Sequence, residues 1–145
     1  PDSLEQELQR LTEQRFITID QAELIDRNRI LRFFASDLGT KLRNHDNILR
    51  EFKFSILDDA GRYGDGLDGE SVLLQGVVDC ALLEDDGITV IDFKADFVTD
   101  DTVETVVDRY RSQIRVYAEA LSRIYQMPVK EKYLYLFHLN RFVGI

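Results

Sequence analysis

The sequence predicts an α/β (α+β) layer fold, with a mixed central β-sheet flanked by helices and a helical segment in front of it. Three observations predict it. Apolar residues in the first third recur at helical spacing. From Ile48 to Ala95 the pattern changes to three strand-like runs separated by glycine- and aspartate-rich turns. A 3.6-residue apolar stripe then runs from about Asp101 to Gln126, after which strand character returns.

The elements follow in order. Leu4, Leu8 and Leu11, with charges between them, predict a first helix. Thr18 and Gln21 have capping-box spacing, so a second helix starts near Thr18 or Asp20 and runs to about Ala35. Ser36 or Asp37 caps a short third helix carrying Leu38 and Leu42, and helical character ends near His45 to Asn47. Ile48–Leu57 alternates, placing Phe52, Phe54 and Ile56 on one face of a strand. Asp58–Gly69 holds four glycines and four aspartates and reads as a flexible loop. Val72–Leu83 and Ile88–Ala95 are strands joined by the turn Glu84–Gly87, hence an antiparallel hairpin. In the long helix Val103, Val107, Tyr110, Ile114, Tyr117, Leu121 and Ile124 form the apolar stripe, and Pro128 ends it. Tyr133–Leu139, taken to include His138, is a strand, and Phe142–Ile145 is another. Residues 1–47 are thus a helical segment and residues 48–145 the sheet-bearing core of one domain.

Composition narrows the function. The chain has 145 residues, 18 basic against 27 acidic, for a net charge of −9, and is 44% hydrophobic, enough for a buried core. The acidic balance argues against a protein that coats nucleic acid by charge alone. It leaves open an enzyme that meets nucleic acid through a bound metal ion, with cationic surface supplied by another domain. The lone cysteine, Cys80, excludes a disulfide framework, a cysteine-rich zinc site and an iron–sulfur cluster. No long uncharged apolar run is present, and no basic segment with an apolar core opens the chain. The expectation is a cytoplasmic protein without a membrane partner. Because it begins at Pro1 rather than Met, the chain reads as part of a much longer one.

Two ionisable clusters interrupt strands that otherwise look buried: Gly76-Val-Val-Asp79-Cys80 and Val90-Ile-Asp92-Phe-Lys94. Asp92 and Lys94 share a strand face, and the hairpin can bring Asp79 beside Asp92. Two readings stand. A buried ion pair with Lys94 could hold the hairpin together. Alternatively, the carboxylates converge on Mg²⁺ or Mn²⁺, which removes their mutual repulsion, while Lys94 orients and acidifies a water or offsets charge on a phosphate. That hardware would hydrolyse a phosphodiester. On the long helix Tyr110, Gln113 and Tyr117 lie at i, i+3 and i+7, facing the sheet. The tyrosines suit a core, but a glutamine amide there must find partners.

Taken together, GVVDC (76–80), IDFK (91–94) and QIRVY (113–117), with Tyr110 ahead of the last, resemble the RecB-type branch of the PD-(D/E)XK nucleases. REFKF (50–54) and YLYLF (133–137) are similar to the nuclease modules of AddAB-type helicase–nucleases. The resemblance spans roughly residues 48–140. It implies a restriction-endonuclease-like core and an Mg²⁺-dependent DNA exonuclease, with Mn²⁺ as a substitute, serving double-strand break processing and recombinational repair. The partners it implies are DNA, the helicase portion of the same full-length chain and an AddB-like subunit. It further implies that Asp79, Asp92 and the Phe93 carbonyl ligate metal, with Glu51 as a further acidic position. Lys94 would position water, and Gln113, Tyr117 and Tyr110 would order the site and touch DNA. Members of this branch also carry Gly-x-x-x-His on an earlier helix. Here Lys41 holds the glycine position before His45, with Gly39 nearby, so the histidine helix is expected upstream of Pro1. The alternatives are a non-catalytic nuclease-like scaffold or DNA-binding module, and a phage-like RecB-type exonuclease.

Overall fold

The computed structural model describes residues 2–145, which divide into two compact units, 2–44 and 45–145.

The first unit is helical: α1 (Asp2–Glu13), α2 (Ile19–Leu24), α3 (Arg27–Ala35) and α4 (Asp37–Asn44). Thr18 caps α2 in a complete capping box, its hydroxyl accepting from the Gln21 amide while the Gln21 side chain accepts from the Thr18 amide. The single helix expected from Thr18 to Ala35 is two. Ile25 adopts an extended conformation, and the Asp26 carboxylate caps a new helix by accepting from the Arg29 amide at 3.2 Å. Ser36 opens α4, its hydroxyl accepting from the Gly39 amide at 3.1 Å.

The second unit carries a five-stranded sheet in the order β1 (Ile48–Asp59), β2 (Ser71–Glu84), β3 (Gly87–Lys94), β4 (Val129–Leu136) and β5 (Arg141–Gly144). Every pairing is antiparallel except β3–β4, so the sheet is mixed. The parallel pair is joined through α5 (Val103–Tyr125), which packs on the sheet as a crossover helix. The β2–β3 turn closes on Gly87, whose φ of 147° suits glycine and whose Cβ, if present, would lie 2.8 Å from the Pro128 carbonyl oxygen.

Two clusters form the core. One joins Phe54, Val78, Ala81, Ile88 and Val90 to Tyr117, Ala120 and Leu121. The other joins Val98, Leu134 and Leu136 to Val103, Val106, Val107 and Ile114. Each fully buried aliphatic side chain here contributes roughly 1.5–3 kcal/mol. α5 ends on Gln126 in the left-handed conformation (φ 54°), just before Pro128.

Some boundaries differ from expectation. β1 extends to Asp59 because Asp58 and Asp59 still pair with Val72 and Ser71. Asp58 also accepts from Arg62, from the Tyr63 hydroxyl and from Arg123 on α5, so the glycine-rich segment leaves the sheet through a tethered start. β4 begins at Val129 rather than Tyr133, since its polar first residues find partners: Lys130 pairs with Glu84 and Asp86, and Glu131 accepts from Thr89. His138 falls in the turn after β4, not in a strand. Ile124 lies outside the buried stripe, 42% exposed. No helix among the described residues is long and apolar enough to cross a membrane.

Candidate active site

The β2–β3 hairpin sets the site. Its ladder pairs Cys80 with Ile91, which places Asp79 and Asp92 at the next position of each strand. Asp79 Oδ2 accepts from the Phe93 amide at 2.9 Å. The N–H and C=O of a strand residue point to the same side. The Phe93 carbonyl therefore also faces β2, beyond the last ladder pair.

Asp92 is 1% exposed in the middle of the sheet. Burial pushes its carboxyl above the usual carboxylate range; Lys94 opposes that shift, and the neighbouring Asp79 adds to it. Lys94 Nζ lies 2.6 Å from Asp92 Oδ2. That ammonium offsets one negative charge, while Asp79 places a second carboxylate beside Asp92. Two close carboxylates sharing one ammonium make an arrangement that a further cation would relieve.

Lys94 is held from the helix side. Its ammonium donates to Gln113 Oε1 at 3.2 Å and sits 4.1 Å from the centre of the Tyr110 ring. Gln113 Nε2 donates to the Tyr117 hydroxyl at 2.8 Å. Both ends of the amide are thus satisfied, which answers why a glutamine stands in an apolar stripe. Burial raises the Tyr117 phenol pKa, and the negative charge of Asp92 raises it further. The ring packs edge-on to Phe54, with centroids 5.8 Å apart.

Asp79, Asp92, Lys94, Gln113, Tyr117 and Tyr110 therefore form one continuous set of contacts, and Phe93 joins it through its backbone. Glu51 does not. It is exposed, has a φ of 49° and sits in the gap of the β1–β2 ladder between Arg50 and Phe52. His45 accepts from the Asn47 amide at the start of the second unit. Sequence reasoning missed Asp96, which accepts from the Tyr110 hydroxyl at 3.1 Å and pairs with Arg109 at 3.4 Å. No periodicity marks a loop carboxylate; its only signal is its place two residues beyond Lys94.

Among the described residues no group of three or more His, Cys, Asp or Glu side chains converges as a metal site. Two carboxylates and a backbone carbonyl remain. That oxygen set fits Mg²⁺, which is commonly held by one or two carboxylates and keeps several waters.

Comparison with known proteins gives the family. The chain is 38% identical over 149 residues to an ATP-dependent helicase/nuclease subunit of the AddA kind from Clostridium botulinum (strain Loch Maree), which it matches over 99% of its own length. It is 38% identical over 152 residues to the protein of the same name from Bacillus mycoides (strain KBAB4). The chain spans 12% of the length of these curated relatives. Among solved structures, the crystal structure of SSO0001 covers 96% of the chain, and the chain covers 60% of it, with a TM-score of 0.50 at 16% identity, a likeness of fold. The family model of the PD-(D/E)XK nuclease superfamily matches residues 1–142. With its mixed sheet and crossover helix, the chain belongs to the PD-(D/E)XK nuclease superfamily.

Proposed function

We propose that this chain is the nuclease module of an AddA-like helicase–nuclease and that it hydrolyses DNA phosphodiester bonds as an exonuclease dependent on Mg²⁺ or, in its place, Mn²⁺. The observation that carries the reading is the contact set from Asp79 and Asp92 through Lys94 and Gln113 to Tyr117. Asp79, Asp92 and the Phe93 carbonyl would hold the cation, which supplies positive charge against phosphate oxygens and favours ionisation of the attacking water. The Lys94 ammonium orients that water and offsets charge developing on the phosphate. Gln113 and Tyr117 hold Lys94 in place from the helix, and with Tyr110 they line the path of the DNA. Water attacks phosphorus and gives up a proton to solvent, while the bond to the leaving oxygen breaks and that oxygen takes up a proton from solvent.

A charge of −9 suits a module fed with DNA by a motor better than one that captures DNA alone. This reading assigns as partners the helicase portion of the same full-length chain and an AddB-like subunit, in the processing of double-strand breaks for recombinational repair. One observation favours a second reading, a nuclease-like fold that binds DNA without cutting it: among the described residues no third acidic side chain converges with Asp79 and Asp92. The test is acid-soluble nucleotide release from linear DNA beside a covalently closed circle, with Mg²⁺ or Mn²⁺. Release from the linear form alone supports the exonuclease. No release from either form, with DNA still bound, supports the second reading.

A further inference from the structure

Phe97 is 77% exposed, yet both of its chain neighbours are fixed. On one side the Asp96 carboxylate accepts from Tyr110, the ring that faces the Lys94 ammonium. On the other side Val98 is fully buried in the second core cluster. The Val98 carbonyl accepts from His138 Nδ1 at 2.6 Å; since a carbonyl only accepts, Nδ1 carries the proton. The His138 ring lies against the Phe97 ring with centroids 4.3 Å apart. The loop therefore holds an aromatic ring outward, with a second, anchored ring tilted 51° against it.

Its place matters. β3 and β4 are the parallel pair, and their carboxyl ends meet where the Phe137 amide donates to the Lys94 carbonyl at 3.0 Å. In open sheets with parallel strands, ligands sit outside the carboxyl ends of those strands. Phe97 and His138 stand on the two chain segments that leave that end, three residues after Lys94 and two after Leu136. Arg109, with its side chain 59% exposed, reaches the same Asp96 from α5. An exposed aromatic ring, with a guanidinium held on the adjacent Asp96, is the chemistry that takes a nucleobase and its phosphate.

We propose that Phe97, with His138 tilted against it, is a base-stacking platform that holds a single-stranded nucleotide beside the Asp92–Lys94 centre, with Arg109 as its phosphate contact. The platform rests on the nuclease reading above and adds a strand-holding subsite to it. His138 acts as a positioning residue, and stacking makes the subsite tolerant of base identity.

The test is anisotropy of fluorescein-labelled oligothymidylate in Ca²⁺ buffer, with wild type, Phe97→Ala, Phe97→Leu, Phe97→Trp and Arg109→Gln. Base–aromatic stacking predicts that Phe97→Ala and Phe97→Leu raise Kd about 5- to 100-fold, while Phe97→Trp stays within about twofold of wild type. An abasic oligonucleotide should bind wild type and Phe97→Ala alike. Arg109→Gln should lower the slope of log Kd against log salt by about 0.7. Oligothymidylate binding by Phe97→Leu equal to wild type, or an equal loss with the abasic strand, overturns the platform alone. A wild-type chain that neither binds nor cuts DNA overturns the nuclease reading and the platform with it. Urea midpoints of the variants, expected unchanged at so exposed a position, guard against misfolding.

Discussion

Gly76→Ala tests the packing beneath the site. A Cβ at Gly76 would lie 2.8 Å from Phe54 Cε1 and 2.9 Å from both Phe54 Cζ and Tyr117 Cε1. Ordinary carbon contacts are about 3.5–4.0 Å, so the rings must retreat by roughly 0.7 Å or more. Neither has room: Phe54 is 5% and Tyr117 8% exposed, and they form an edge-to-face pair. Overpacking of this kind costs about 1–3 kcal/mol. Removing a glycine stiffens the unfolded chain and returns about 0.4–1 kcal/mol. The net expectation is a loss centred on about 1.3 kcal/mol, read as a lower urea midpoint by circular dichroism. Each kcal/mol corresponds to roughly 2–4 °C in Tm for a chain near this size. Tyr117 holds Gln113, and Gln113 holds Lys94, so activity should fall further than stability accounts for. The pair Gly76→Ala with Phe54→Leu should recover stability, with a coupling of about 0.5–3 kcal/mol. A neutral Gly76→Ala, or a double variant that loses the sum of both single losses, would refute the close approach.

Three further outcomes are expected. Burial pushes the Cys80 thiol up to about 11, so a disulfide reagent at pH 8 should label it only in denaturant; prompt labelling of the folded chain contradicts this. The Tyr63 hydroxyl, assisted by Arg62, holds the Asp58 carboxyl below its ordinary value. Its stabilisation is therefore complete above about pH 5 and lost as pH falls through the depressed value, so Asp58→Asn should flatten the acid limb of a stability–pH curve, and an unaltered limb counts against the tether. Mn²⁺ should raise the Tm of the wild-type chain, by the equivalent of about 2.7 kcal/mol at a hundred times Kd, and leave Asp92→Asn unmoved; equal shifts in both would place the cation elsewhere.

Much of the fold was legible because its signals are local. The hairpin from Val72 to Ala95 has strand runs on both sides of a short turn closed by glycine, and the observed ladder follows it. Thr18 and Gln21 spell out their cap in four residues. α5 declares itself by periodicity over many turns. What was missed depends on partners distant in sequence. The break at Ile25 interrupts no apolar pattern, since Asp26 can cap a helix or continue one. The first residues of β4 look too polar for a strand until Glu84, Asp86 and Thr89 are beside them. At the candidate site, the pairing of Asp79 with Asp92 could be read from the hairpin. The contacts of Lys94 with Gln113 and of Asp96 with Tyr110 cross from the β3 end to α5 and follow from packing alone. Phe97 carried no sequence signal, because an exposed phenylalanine and a buried one read alike.

The central claim is that the Asp79–Asp92–Lys94 hairpin is a nuclease centre. Its most direct test is nucleotide release from linear DNA in Mg²⁺ or Mn²⁺ by wild type, Asp79→Asn, Asp92→Asn and Lys94→Ala, each first shown to be folded. The account predicts metal-dependent release by wild type and a loss of at least about 100-fold in every variant. Release by a folded Lys94→Ala or Asp92→Asn chain at the wild-type rate would contradict it.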